Sequence, residues 1–413
     1  MNITHKNSHL FVENIAVETI SKKNATPFYL YSAKEITDNY NEFATSLKAI
    51  KNLQICYAVK ANPNLGVLHL LSTLGSGADT VSKGEIFRSI RAGISPKKIV
   101  FSGVGKTRQE IIFALKKGIM QFNVESVEEL EVINEEAGRI KKKANIAIRI
   151  NPNVDAKTHG KITTGRKCDK FGIDVDIFDE VFGKLKGLKN LNFVGISCHI
   201  GSQITDIKVY EGAFKVIKKL YLSYLKKGVK FAVIDIGGGI GINYNNNKTI
   251  NIQDYGLLVA KYFADVEAKI IVEPGRKIVG NAGILITKVI LVKHTPEKNF
   301  IIIDAGMNDL IRPAIYDAYH EIVPVINSDS KKQTYDIVGP ICETSDIFLR
   351  DYKIQKVNEG DLLAIKSAGA YGSSMSSNYN SRGLVAEILV SGNKFKIVRK
   401  GQGIEEMIRG ERI

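Results

Sequence analysis

Between residues 53 and 272 short apolar runs alternate with amphipathic stretches, and no other feature of the chain constrains the fold as much. The apolar runs are Leu53–Val59, Ala78–Val81, Lys98–Ser102, Met120–Val124, Asn145–Ile150, Phe193–His199, Phe231–Ile236 and Lys269–Val272. Their length and near-continuous apolarity predict strands buried on both faces, the habit of parallel sheets. Amphipathic stretches such as Gly84–Ala92, Thr107–Lys117, Val127–Gly138 and Asp206–Lys227 predict the covering helices. Eight strands with intervening helices predict a closed (β/α)8 TIM barrel in an α/β protein; a doubly wound open sheet is the rival. Ahead of this series, Pro27–Tyr31 reads as a strand and Ala33–Ile50 as a helix, with Ser32 as cap and Glu35 completing a capping box.

After Arg276 strands follow one another with few helices: Gly283–Lys293, Phe300–Asp304, Tyr335–Val338, Asp361–Ser367, Leu384–Val390 and Phe395–Arg399. This predicts a second, all-β domain with a β-barrel-like form. The expected division is a barrel over 27–276 and a β domain built from 1–26 and 277–413. At 413 residues two cores are the natural arrangement. No apolar run reaches the length of a membrane span, and the first residues lack an apolar core, so a cytoplasmic protein without membrane attachment is expected. The four cysteines follow no metal-binding spacing. The net charge of +15 is spread along the chain; nucleic-acid binding would need it clustered, and an anionic small molecule accounts for it as well.

In such a barrel chemistry collects at the C-terminal ends of the strands. Strand one ends in Lys60 and strand two reaches Asp79; strand five carries Arg149, and strand six runs into His199-Ile200-Gly201-Ser202. Strand seven runs into Gly237-Gly238-Gly239, and strand eight into Glu273-Pro274-Gly275-Arg276. A lysine packed at a strand exit has its ammonium disfavoured by burial, as a Schiff-base nucleophile requires, or it snorkels into water. The glycines either bring backbone N–H groups up to a phosphate or serve a tight turn. A lysine with a phosphate cup points to pyridoxal phosphate, whose ring needs a carboxylate at its nitrogen and a flat group on its face. Glu273 fits the first, unless it merely pairs with Arg276; His199 fits the second, unless it is a core histidine.

These motifs, in this order, resemble the fold-type III pyridoxal-phosphate-dependent amino-acid decarboxylases, and most closely their diaminopimelate branch. The matching segments are Tyr57-Ala58-Val59-Lys60-Ala61-Asn62, Gly77-Ala78-Asp79, Ser82-Lys83-Gly84-Glu85, Arg149-Ile150-Asn151-Pro152, Lys170-Phe171-Gly172 and those named above. Beyond the barrel they are Arg312-Pro313-Ala314-Ile315-Tyr316, Gly339 to Asp346, Gly369-Ala370-Tyr371-Gly372 and Ser377 to Arg382; Gly383 stands where the family pattern leads one to expect proline.

The resemblance implies decarboxylation of meso-2,6-diaminopimelate to L-lysine and CO2, the last step of lysine biosynthesis. Lys60 would carry the cofactor, Glu273 would meet its ring nitrogen and His199 its face. Gly238, Gly239, Pro274, Gly275 and Arg276 would hold its phosphate, with Tyr371 nearby. Arg276, Arg312, Tyr316, Glu343 and Tyr371 would contact the amino-acid substrate. Cys342 and Glu343 would enter the neighbouring subunit's site in a homodimer, with Cys342 or Lys60 as proton donor. The substrate's second amino-acid end offers a carboxylate to Arg312 and an ammonium to Glu343, a pairing that a simple diamine precursor does not need.

Overall fold

The computed structural model describes residues 2–154, 169–245 and 248–413. The chain folds into two compact units: Tyr40–Ile242 with Lys248–Lys277, and Met1–Asn39 with Asn243–Asn247 and Ile278–Ile413.

The first unit is a (β/α)8 barrel. Its strands are β1 (Leu53–Ala58), β2 (Gly77–Thr80), β3 (Ile99–Phe101), β4 (Gln121–Val124), β5 (Ala144–Asn151), β6 (Leu191–Ser197), β7 (Val233–Asp235) and β8 (Lys269–Val272). Each pairs in parallel with the next, and β8 closes on β1 through Ile270–Leu53, Ile271–Gln54 and Val272–Ile55. The open-sheet alternative is thereby excluded. All eight apolar runs are strands at the expected places, and the helices Lys83–Arg91, Arg108–Lys117, Val127–Arg139 and Ile207–Lys226 lie within a residue or so of expectation. Local chemistry sets their ends. Thr107 and Glu110 form a reciprocal capping box, and Gly118 closes the same helix with a left-handed φ of 67°.

Alternation along a strand puts residues i and i+2 on one face. Cys56, Val100, Val233 and Ile271 form an apolar cluster contributed by β1, β3, β7 and β8. Two residues further along β7 the side chain is Asp235, and Asn123 of β4 donates to it over 3.0 Å. These strands are not neighbours in the sheet, so the bond crosses the lumen. Apolar packing therefore gives way to a polar layer toward the strand ends.

The second unit is dominated by one sheet. Its order is Ile347–Gln355, Lys332–Val338, Asn299–Ile303, Gly283–His294, Phe28–Ser32, Ala386–Ser391 and Lys394–Arg399. Leu362–Ile365 pairs with Gly283–His294 and with Ile322–Pro324. The strand Phe28–Ser32, grouped with the barrel from sequence, is hydrogen-bonded between Gly283–His294 and Ala386–Ser391. All its residues are buried, so its composition fits either sheet. Ile347–Gln355 was not anticipated because Arg350, Asp351 and Lys353 interrupt its apolar pattern; it is an edge strand, where such charges are tolerated. The N-terminal residues form a three-stranded antiparallel sheet, Ile3–Lys6, His9–Val12 and Ile15–Ala16. Its Ile3, Leu10 and Val12 join the core of this unit. The helix after Phe28–Ser32 runs over Ala33–Ser46 and is shorter than expected. Ser32 caps it, but Glu35 bonds Asn2 instead of closing the box.

In the barrel unit, helix Ile252–Phe263 packs Gly256 against the end of helix Ala33–Ser46, where a Cβ would lie 2.1 Å from the Ser46 carbonyl oxygen. Gly256→Ala should therefore destabilise the fold by about 1–3 kcal/mol through overpacking. A thermal midpoint equal to or above the parent's would contradict this.

Candidate active site

Lys60 is held by the turn that follows β1. Val59–Ala61 form a single 3-10 turn whose Val59 and Ala61 side chains are buried, leaving Lys60 between them the one that faces outward. The turn is pinned on both sides. Ala58 N–H donates to the Pro274 carbonyl at 3.0 Å, and the buried Tyr57 hydroxyl donates to the Asn62 carbonyl at 3.2 Å. Asn62 then accepts from Asn64 N–H, and Asn64 caps the helix Leu65–Thr73. Lys60 thus lies just beyond the strand, neither fully buried nor fully in water. About a third of its side chain is exposed, and its Nζ is ion-paired with Asp79 of β2, which is 1% exposed.

A cavity of about 180 Å³ opens at this end of the barrel, lined by Lys60, Asp79, Val81, Ser102, Gly103, Asn123, Arg149, Phe171, Ser197, Cys198, His199 and Glu273. Three sequence-predicted residues, Lys60, His199 and Glu273, therefore share one wall system. His199 accepts a hydrogen bond at Nδ1 from the Gly238 N–H, 3.3 Å away. Burial first, then the Arg149 and Lys60 cations, push its pKa well below the ordinary histidine value. The ring is accordingly a neutral imidazole. Arg149 is fixed by Glu125 at 2.7 Å, by the His199 carbonyl at 3.2 Å and by the Phe171 ring, 5.0 Å from its guanidinium carbon. Glu125 also accepts from the N–H groups of Gly103 and Gly172, both at 2.9 Å.

Glu273 is 6% exposed and does not pair with Arg276; its backbone N–H donates to the Gly237 carbonyl at 2.8 Å. Its partner is Asp235, which also accepts from Asn123 and from the Gly237 N–H at 3.0 Å. Burial foremost, then the Asp235 and Asp79 carboxylates, raise Glu273 well above the ordinary carboxylate range. Burial likewise raises Asp235, to about 6. Burial and the nearness of a second carboxyl therefore favour a proton shared within this pair. Two carboxyl oxygens lining this region, Glu273 Oε1 and Asp79 Oδ1, are buried with no hydrogen-bond partner among the described residues.

The glycine turn after β7 is explained by packing alone. A Cβ at Gly237, Gly238 or Gly239 would lie 2.3, 1.9 or 2.2 Å from the carbonyl oxygen of Cys198, Glu273 or Gly201 respectively. Gly237 and Gly239 also have positive φ, 69° and 105°. The same turn brings the Gly238 backbone beside His199 and Glu273. Gly275 follows Pro274 against Ala58 and Ala61, and Arg276 is buried with Nη2 donating to Ser202 Oγ at 3.1 Å.

The remaining predicted residues belong to the other unit. Arg312 and Tyr316 bound the short helix Arg312–Tyr316, with Arg312 6% exposed. Cys342 and Glu343 are exposed on a loop organised by Asp346, which accepts from Met307 and Ile341 N–H groups at 2.7 Å. Glu343 accepts from Ser345, and Cys342 N–H donates to Asn380 at 3.0 Å. Tyr371 has a φ of 56°, a left-handed conformation that costs a bulky residue energy and marks functional loops. Gly383 packs where a Cβ would meet the Gln402 carbonyl at 2.2 Å. Cys56 and Cys198 are buried; Cys168 lies outside the described residues.

Sequence reasoning passed over Asp235, Asn123 and Glu125. Their signal is a polar residue at alternate positions in an otherwise apolar strand, as in Val233-Ile234-Asp235 and Gln121-Phe122-Asn123-Val124-Glu125.

The family model for "Pyridoxal-dependent decarboxylase, pyridoxal binding domain" matches residues 33–280. The chain is 47% identical over 407 residues to a diaminopimelate decarboxylase of Aquifex aeolicus, covering 98% of this chain and 96% of the relative. It is similar to a Helicobacter pylori diaminopimelate decarboxylase solved with L-lysine, with TM-score 0.91 and 43% identity over 95% of this chain and 98% of that one. A diaminopimelate decarboxylase of M. jannaschii, also in complex with L-lysine, superposes with TM-score 0.94 at 37% identity over 100% of this chain and 98% of that one.

The shared proton has a measurable sign. The unfolded chain releases carboxyl protons near pH 4, whereas the folded, cofactor-free chain keeps them through Asp235's value of about 6 and beyond it toward Glu273's. The folded state binds more protons over that range, so stability falls as pH rises. Glu273→Gln removes the ionisation, and its thermal midpoint should fall less than the parent's between pH 5 and pH 8, both without cofactor. An equal or steeper fall would refute the assignment.

Proposed function

The chain belongs to the diaminopimelate decarboxylase family of pyridoxal-dependent enzymes, and we propose that the barrel cavity beside Lys60 is the seat of its reaction. It decarboxylates meso-2,6-diaminopimelate to L-lysine and CO2, closing lysine biosynthesis, with pyridoxal phosphate as cofactor. The observation that carries the siting is the convergence of Lys60, neutral His199 and Glu273 on one cavity.

These residues fit the cofactor. A buried carboxyl oxygen without a partner, Glu273 Oε1, suits a ring N–H, and a primary amine at the cavity wall suits an aldehyde. Bound there, pyridoxal phosphate supplies a protonated ring that accepts the electron pair left when CO2 departs. Glu273 would give its proton to the ring nitrogen and then, as a carboxylate, accept the ring N–H and keep it in place, with Asp235 behind it. Lys60 carries the cofactor through Nζ, and Asp79 steadies that amine between turnovers. His199, held by the Gly238 N–H, offers an uncharged flat face that does not compete for the ring's electrons. Gly238, Gly239, Pro274, Gly275 and Arg276 would hold the phosphate; the buried guanidinium of Arg276 supports this.

Arg312 binds the distal carboxylate of the substrate and Glu343 its distal ammonium, with Arg276, Tyr316 and Tyr371 as further contacts. Cys342 returns a proton to the reacting carbon, with Lys60 as the alternative donor. The working unit is a homodimer in the cytoplasm, in which Cys342 and Glu343 serve the neighbouring subunit's site. Their exposure on their own chain supports this, and among the described residues no helix is long and apolar enough to cross a membrane.

The test is CO2 release by the cofactor-loaded protein from meso-diaminopimelate, ornithine and arginine offered separately. Release from the first alone, with lysine formed, is expected; release from another substrate instead would overturn the role of Arg312 and Glu343. Lys60→Ala should abolish turnover. Cys342→Ala should be strongly impaired, and Lys60→Ala subunits mixed with Cys342→Ala subunits should recover about a quarter of parental activity. Half of the random dimers are hybrids, each with one intact site. No recovery on mixing would remove the shared-site proposal.

A further inference from the structure

The buried Arg312 is oriented by a residue to which neither the motifs nor the proposed mechanism assign a part. Its Nη1 donates to His320 Nε2 at 2.8 Å. Its guanidinium carbon lies 4.6 Å from the centroid of the Tyr244 ring, and that ring meets the His320 ring edge-on, centroids 5.2 Å apart. His320 is 1% exposed. Its other nitrogen, Nδ1, lies 2.8 Å from the Lys366 carbonyl oxygen.

These two distances settle the state of the imidazole. A backbone carbonyl only accepts, so Nδ1 bears the hydrogen; a guanidinium only donates, so Nε2 bears the lone pair. The ring is the neutral Nδ1–H form, and it can occupy no other state while both bonds stand. The Lys366 carbonyl is itself rigid. It follows the strand Leu362–Ile365, and the Lys366 N–H donates to the Glu321 carbonyl at 2.8 Å beside the Ile322–Ile365 pair. A sheet edge therefore aims the imidazole, and the imidazole aims the guanidinium, whose N–H donors form a planar fork of fixed geometry.

We infer that His320 is a positioning residue that orients the Arg312 fork for the distal carboxylate of the substrate and thereby sets substrate affinity. This rests on the reading of Arg312 as that carboxylate's partner. A carboxylate at position 320 would also hold Arg312 but would itself oppose its charge; a neutral acceptor fixes the direction of the fork without adding a negative charge beside it.

The experiment is steady-state kinetics of the cofactor-loaded enzyme on meso-diaminopimelate for His320→Leu, His320→Gln, Arg312→Ala and the double variant His320→Leu/Arg312→Ala. His320→Leu should raise KM about tenfold, the loss expected when a charge-assisted bond no longer orients the fork, with kcat within about threefold. His320→Gln, which offers an acceptor and a donor on one amide, should restore KM to within about threefold. In the Arg312→Ala background His320→Leu should add less than about twofold, because the residue it orients is gone. If the buried leucine does not fold, His320→Asn, too short to meet both partners, carries the same expectation as the leucine. A raised KM in Arg312→Ala with an unchanged KM in His320→Leu overturns the inference and leaves the reading of Arg312 standing. An unchanged KM in Arg312→Ala overturns both. Losses in the two single variants that simply multiply in the double, or a fall in kcat and thermal midpoint without a change in KM, assign His320 a structural role instead.

Discussion

The barrel depends on one bond across its lumen, from Asn123 of β4 to Asp235 of β7. An isolated carboxylate buried in a barrel interior carries a large desolvation cost, which only hydrogen bonds or a shift in protonation can offset. Asp235 uses both. Asn123 and the Gly237 N–H donate to it, and burial raises its pKa to about 6. Asn123 is in turn held by Gln121 at 2.8 Å. Side-chain amides thus support the layer from below, and it presents the Glu273 carboxyl toward the cavity. Removing one member of such a network leaves the others buried and unpaired, so the layer stands or falls as a unit.

Backbone carbonyls do the rest of the positioning. The Glu273 N–H reaches Gly237, the Ala58 N–H reaches Pro274, and the Cys198 N–H reaches Asp235, so the exits of β1, β6, β7 and β8 are tied to one another. That lacing is too close for side chains, which is why the turn after β7 is all glycine. The structural and the phosphate-binding explanations of Gly238 and Gly239 are thus compatible: packing demands glycine, and glycine leaves the backbone approachable.

The barrel was legible because its signal repeats eight times, and strand ends could be read off the same pattern. Lys60, His199 and Glu273 were found that way, since polar side chains directly after apolar runs stand out. Asp235 and Asn123 were not, because one polar residue within a run looks like noise until the lumen shows what it faces. The strand Phe28–Ser32 was placed by its neighbours in the chain, whereas its place is fixed by hydrogen bonds to residues more than 250 positions away.

The two units solve the problem of a buried charge in opposite ways. In the barrel burial favours a proton shared between the carboxyls, which lowers the cost of burying them. At Arg312 the proton stays put, since a guanidinium does not release it at any ordinary pH. A neutral imidazole with a fixed tautomer, together with the face of Tyr244, contributes to offsetting its burial. A carboxylate there would give a stronger bond and oppose the charge; His320 in its Nδ1–H form accepts from the fork and remains neutral.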